Sequence, residues 1–152
     1  MRSQRFCLVA TLIFAAVLGA AAQSNALVDE LLAQEPARVD YAAYLALAAG
    51  GAVPETASPA EALEAARAKG WLPAARAGEE PLRLDEYSAL VMRSLGLKGG
   101  LLFSLFPGPR YAYRELAYRG VVNDSGGPKR RIPGDEALRI LRLAMELKGG
   151  TR

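Results

Sequence analysis

Leu82–Gly100 reads LRLDEYSALVMRSLGLKGG, and fifty residues further on Ile132–Gly150 reads IPGDEALRILRLAMELKGG. Six pairs are identical across that offset: Asp85/Asp135, Glu86/Glu136, Leu97/Leu147, Lys98/Lys148, Gly99/Gly149 and Gly100/Gly150. Leu82/Ile132, Leu90/Ile140, Val91/Leu141 and Leu95/Met145 stay apolar. The same shift brings Pro59 onto Pro109, Ala62 onto Ala112 and Gly70 onto Gly120. An offset sustained over that length marks a duplicated supersecondary unit.

Each copy has the period of an amphipathic helix. Tyr87, Leu90, Val91 and Leu95 form one apolar stripe; Ala137, Ile140, Leu141 and Ala144 form the other, widened by Leu138, Met145 and Leu147. The acidic pairs Asp85-Glu86 and Asp135-Glu136 stand where negative charge favours a helix start. Lys98 and Lys148 stand in the expected last turn, and the glycines after them close a helix. The expected helices are Asp85–Leu97 and Asp135–Leu147, and end chemistry accounts for their terminal charges without a site. Arg38–Ala49 (RVDYAAYLALAA) reads as a third, diverged copy. At an offset of 46, Asp40 meets Glu86, Tyr41 meets Tyr87, Ala43 meets Ala89 and Gly50 meets Gly96.

The N-terminus has a different composition. Arg2 and Arg5 precede an apolar run, Phe6–Ala20, and Ala20-Ala21-Ala22 offers a small-residue cleavage site before Gln23. This is the pattern of a secretory signal peptide. The alternative is a retained membrane anchor, although the run is short for a span of about 20 residues. The expected division is a signal peptide over 1–22, a helical lead over 23–35 and a repeat domain over 36–150. Cleavage removes Cys7, the single cysteine, and the chain has no histidine. The mature chain then has no disulfide, no thiolate and neither ring nitrogen of the commonest general base and metal ligand. No cofactor or metal is expected. Residues 23–100 carry 7 basic and 11 acidic side chains, and residues 101–152 carry 10 basic and 5 acidic. Such a split signals either an anionic partner or mutual attraction of the halves.

Between the long helices lie shorter elements. Gln23–Glu35 is a helical lead with Leu27, Val28, Leu31 and Leu32 on one side, ended by Pro36. Ser58-Pro59-Ala60-Glu61 has the form of a capping box with proline in the first turn, opening a helix to about Lys69 that Gly70 stops. Trp71, the only tryptophan, reads as a core anchor. Leu101–Phe106 (LLFSLF) reads as a buried turn or a short strand. Arg110–Arg119 reads as a short helix with Ala112, Leu116 and Ala117 inward and Tyr111, Tyr113 and Tyr118 half-buried. Asn123–Pro133, glycine-rich and carrying Lys129-Arg130-Arg131, reads as a surface loop.

These residues resemble the S-layer homology (SLH) domain family. The pattern lies in Leu82-Arg83-Leu84-Asp85-Glu86-Tyr87-Ser88, Leu95-Gly96-Leu97, Phe103, Tyr111-Ala112-Tyr113, Leu116 and Gly120-Val121-Val122. The first unit carries Arg38-Val39-Asp40-Tyr41-Ala42, Ala62, Ala66 and Gly70-Trp71; the third keeps its first helix from Ile132. The resemblance covers about residues 36–150. It implies an all-α fold of tandem helix-loop-helix repeats around a pseudo-threefold central bundle. It also implies anchoring to an anionic cell-wall polymer, gripped by an arginine at the repeat start. That arginine falls on Arg38 in the first unit, on Leu84 in the second and on Gly134 in the third. Neither leucine nor glycine replaces the two hydrogen bonds a guanidinium gives a carboxylate or phosphate.

The leading expectation is an exported, non-catalytic module of the periplasm or cell envelope. It binds an anionic wall or surface component through Arg38, Lys129, Arg130 and Arg131, with the membrane met only through the signal segment. A module that docks an envelope protein is the alternative, and tyrosine suits such interfaces. Glu79, Glu80, Asp85 and Glu86 are the acids a glycoside hydrolase would use, but adjacent acids at a helix start already have a structural explanation. Export disfavours nucleic acid as a partner.

Overall fold

A computed structural model describes residues 25–123 and 126–150. The described residues form seven helices and no strand, so the fold is all-α. The helices are α1 (25–32), α2 (Val39–Ala49), α3 (Pro59–Ala68), α4 (Leu84–Leu95), α5 (Leu101–Leu105), α6 (Pro109–Tyr118) and α7 (Gly134–Gly150). The segment read as a signal peptide lies outside the described residues. No described helix is long and apolar enough to cross a membrane.

The core is built from α2, α4 and α7, which pack on one another, with α3 against α2 and α6 against α4. Alanines make α2 narrow, and it is buried almost all round, from Val39 through Leu47. Its C-cap Gly50 lies so close to α4 that a Cβ there would stand 2.1 Å from the Ser94 carbonyl oxygen. Leu84, Leu90, Val91 and Met92 of α4 are buried, and α7 buries the expected stripe of Ala137, Ile140, Leu141 and Ala144. Burying a leucine or isoleucine in such a core contributes about 2 kcal/mol. Tyr44 satisfies its hydroxyl by donating to the Glu55 carbonyl at 2.8 Å. Tyr87 and Tyr113 bury theirs with no partner among the described residues, and burial pushes the Tyr87 phenol above its usual range.

The first amides of a helix have no partner within it. Here the connection ahead of the next core helix supplies one. Val39 and Asp40 N–H donate to the Glu80 and Gly78 carbonyls at 3.2 and 3.1 Å. Leu84 and Asp85 N–H donate to the Arg130 and Pro128 carbonyls at 3.0 and 2.8 Å. Gly134 N–H donates to the Gln34 carbonyl at 3.0 Å. Just before these starts the backbone closes a ring: Ala37 N–H to Ile132 O at 2.9 Å, Ile132 N–H to Leu82 O at 3.2 Å, and Leu82 N–H to Ala37 O at 2.8 Å. All three side chains in the ring are fully buried.

The ring sets a register for α2 that differs from the expected one: Ala37 and Leu82, which it pairs, stand 45 residues apart and not 46. Asp40, Asp85 and Asp135 are each the second residue of their helix, and Arg38 corresponds to Arg83 rather than to Leu84. Alanine-rich α2 aligns with almost any helix, so sequence alone left it free to slip by one.

The short helices follow their signals closely. Ser58 Oγ accepts from Glu61 N–H at 3.2 Å, and the Glu61 carboxylate accepts from Ser58 N–H at 2.7 Å, completing the capping box. Trp71 N–H and Val121 N–H each return to the fifth residue back, Ala66 O and Leu116 O, at 2.9 Å. Val121 and Val122 are buried, whereas Trp71 is only half-buried.

Other expectations are corrected. Leu101–Phe106 is not a strand: its first five residues form α5, and Leu101, Leu105 and Phe106 are 80%, 63% and 59% exposed. Tyr113 is buried and Tyr118 is 91% exposed, because Tyr118 lies on the face of α6 opposite Ala112 and Leu116. Leu32 and Met145 are exposed at the edges of their stripes. The two Leu-Lys-Gly-Gly tetrads differ outright. Gly96, at φ +64°, ends α4 before Leu97, while α7 runs on to Gly150 with Glu146 in the corresponding place.

Candidate functional site

The charged residues of the helix starts are organised by the same ring. At α2, Arg38 grips Asp40 with two bonds, Nη2 to Oδ2 at 2.6 Å and Nε to Oδ1 at 3.1 Å. Asp40 Oδ1 also accepts from Tyr41 N–H at 2.9 Å, and the guanidinium stands 5.2 Å from the Tyr41 ring centre. The hydrogen bonds to Asp40 raise the Arg38 pKa further, which fixes its positive charge. A hydrogen bond with Glu30 raises the Tyr41 pKa.

At α4 the same arginine-x-aspartate spacing recurs. Arg83 Nη2 donates to Asp85 Oδ2 at 2.7 Å, and Asp85 Oδ1 accepts from Glu86 N–H at 2.9 Å. Glu86 is also held by Arg76 Nη2 at 3.0 Å, and Arg76 reaches Glu80 and the Pro81 carbonyl as well. At α7, Pro133 takes the place of Arg38 and Arg83, and Asp135 is exposed. Glu136 is instead clasped by Arg130, with Nη1 to Oε2 at 2.6 Å and Nη2 to Oε1 at 2.5 Å; this pair raises the Arg130 pKa. Such bidentate pairs are stronger and more directional than single contacts.

The four expected contact residues therefore separate into two kinds. Arg38 and Arg130 are committed to carboxylates of their own chain: Arg38 closes on the first turn of its own helix, and Arg130 ties the loop ahead of α7 to that helix start. Lys129 and Arg131 are exposed, with no side-chain partner among the described residues. With Arg76, Arg83, Glu80 and Pro81 they line an open groove of about 330 Å³ between the start of α4 and the loop ahead of α7. Within it Arg76 and Arg83 are matched by Glu80, Asp85 and Glu86, so among the described residues Lys129 and Arg131 carry the charge without a partner. A second open groove of about 680 Å³ lies beside the start of α7, where Arg130, Arg139, Asp135 and Glu136 mix both signs.

Arg76 and Arg83 did not stand out in the sequence. The repeated spacing Arg38-Val39-Asp40 and Arg83-Leu84-Asp85 was the signal for Arg83, hidden by the one-residue slip. Arg76 sits in a loop with no counterpart at the same offset. Of the acids weighed as a hydrolytic pair, Glu80, Asp85 and Glu86 each have a carboxylate oxygen held by a guanidinium, and Glu80 and Asp85 give the other to a backbone amide. Among the described residues no cluster of His, Cys, Asp or Glu has the makings of a metal site.

The protein class these features define is an all-α domain whose core-helix starts converge on a backbone ring, with a cationic groove beside it. No family model, no curated protein and no solved structure matches the chain.

Proposed function

We propose that this is an exported, non-catalytic module of the cell envelope, built from three diverged SLH-like repeats, that holds an anionic wall or surface component in the groove at Lys129 and Arg131. The repeat reading draws support from the matched helix starts and from the closed hydrogen-bond ring at Ala37, Leu82 and Ile132. The observation that carries the functional reading is the pair of exposed cations beside Arg83 in one groove, with no carboxylate partner among the described residues. Arg130, which lies between the two in sequence, ties their loop to Glu136, whereas Arg38 is held by Asp40 and is not part of the groove lining.

Charges of this kind act at a distance and are screened over about 8 Å at physiological salt. Retention of the exported protein on purified wall sacculi, measured across a salt series, tests the proposal. The wild type is expected to bind and to elute as salt rises. Lys129→Ala/Arg131→Ala is expected to lose binding while keeping its fold. Binding by that variant equal to wild type would sink the groove reading. Mass spectrometry of the exported form is expected to begin near Gln23. A second reading, docking of an envelope protein, draws on the exposed apolar residues of α5.

A further inference from the structure

The segment around α5 is held in place in an unusual way. Its flanks are tied down by side chains from other elements. Gly100 N–H donates to Glu115 Oε2 at 2.9 Å, Arg119 Nη2 donates to the Lys98 carbonyl at 2.7 Å, and Arg93 Nη2 donates to the Pro107 carbonyl at 2.5 Å. Phe103 packs against the core, while Leu101, Leu105 and Phe106 face outward. The Phe106 ring stacks on Tyr111 at 6.0 Å. Core formation gives no reason to fasten a loop so that three large apolar side chains meet water.

Its exposed charges have one sign, since the nearby Glu115 is half-buried and paired with Arg119. Residues 98–114 contain Lys98, Arg110 and Arg114 and no acidic residue. All three cations are exposed and have no carboxylate partner among the described residues. On α6, Arg110, Arg114 and Tyr118 follow at four-residue spacing and form an outward face beside Tyr111. An apolar tip, two tyrosines at its edge and a rim of cations match the layers of an anionic bilayer surface: acyl boundary, headgroup and phosphate.

We infer that this face seats on an anionic lipid surface. Leu101, Leu105 and Phe106 enter the boundary between headgroups and acyl chains, and Lys98, Arg110 and Arg114 meet lipid phosphates. The inference is independent of the groove, since neither Lys129 nor Arg131 takes part. It also adds a membrane contact outside the N-terminal segment, where the sequence confined it.

The experiment places a probe on the face itself. In the full chain, Trp71→Phe removes the only native indole and Leu105→Trp installs one on α5. Vesicles of equimolar phosphatidylglycerol and phosphatidylcholine with brominated acyl chains then report contact. Residues 6–20 cannot produce a signal at position 105. The emission is expected to shift to the blue and to be quenched, and pure phosphatidylcholine vesicles are expected to quench far less. Arg110→Gln/Arg114→Gln should raise the half-saturating lipid concentration by roughly thirtyfold. Lys129→Ala/Arg131→Ala should leave it unchanged. An emission that no vesicle alters overturns the inference. So does equal quenching by neutral vesicles and in the arginine variant. A cross-link from this position to another protein chain, in place of quenching, gives the face to protein docking.

Discussion

Helices α4 and α7 begin on the same Asp-Glu pair and are followed or ended by the same Leu-Lys-Gly-Gly, yet they are bounded by different chemistry at both ends. At its start α4 has Arg83 clamped on a buried Asp85, whereas α7 has Pro133 and an exposed Asp135. The first helical residue is the fully buried Leu84 in one and Gly134 in the other. A Cβ on Gly134 would meet the Leu31 carbonyl oxygen at 1.7 Å, because the end of α1 lies against it. At the far end, Gly96 turns the chain out of α4, and Glu146 carries α7 on. Identical residues thus gave no identical boundary. The neighbour that packs on each end decided it. The glycine at position 134, read from sequence as a lost arginine, is a requirement of α1 docking.

The largest expected effect tests that docking. Gly134→Ala puts a methyl group into backbone that has no side chain to move aside, so overpacking is expected to cost about 3 kcal/mol. Denaturant melts should show the loss, and amide exchange over residues 25–32 should rise with it. A loss near 1 kcal/mol or below would mean that α1 yields easily and that the contact does not lock the two elements.

A smaller effect separates the two aspartates. Asp85→Asn removes the charge from a buried partner of Arg83 and weakens its bond from the Glu86 amide, and is expected to cost about 2 kcal/mol. Asp135→Asn touches an exposed side chain with no ion pair to break among the described residues, and is expected to change stability by less than about 0.5 kcal/mol. Equal losses in paired melts would show that both aspartates act only on their helix dipoles.

The stripes were legible because period and burial coincide: Leu90, Val91, Ile140 and Leu141 are core in the structure as in the pattern. The Ser58 box was legible because capping is local chemistry among four consecutive residues. What the sequence did not carry was everything set by a distant neighbour. The register of α2 is fixed by hydrogen bonds to residues 45 and 95 positions away. The partners of Arg130 and Arg76 depend on how two loops cross two helix starts. The exposure of Leu101, Leu105 and Phe106 defies the burial that their hydropathy implies, since ties from Glu115, Arg119 and Arg93 hold their flanks. For the candidate site, the basic loop was visible, but not that Arg130 alone of its three cations would clasp Glu136.

Small effects, of about 1 kcal/mol or less, also lie at the helix ends, where the two tetrads can be made to exchange behaviour. Gly96→Ala forces a Cβ into the left-handed region at φ +64° and is expected to cost about 1 kcal/mol, with nothing within reach to clash. Glu146→Gly installs in α7 the residue that stops α4. It also removes the exposed pair with Arg142, at 2.7 Å, worth about 0.3–0.5 kcal/mol. The stretch beyond it is one turn with only Leu147 packed against the core, so the global loss should stay near 0.5 kcal/mol. The response should instead be local: amides of residues 147–150 lose protection from exchange while those of Ile140 and Leu141 keep theirs. Fraying confined to that turn would show that a single glycine distinguishes the two ends. Unchanged protection would mean that packing of Leu147, and not the residue at 146, carries α7 past the point where α4 stops.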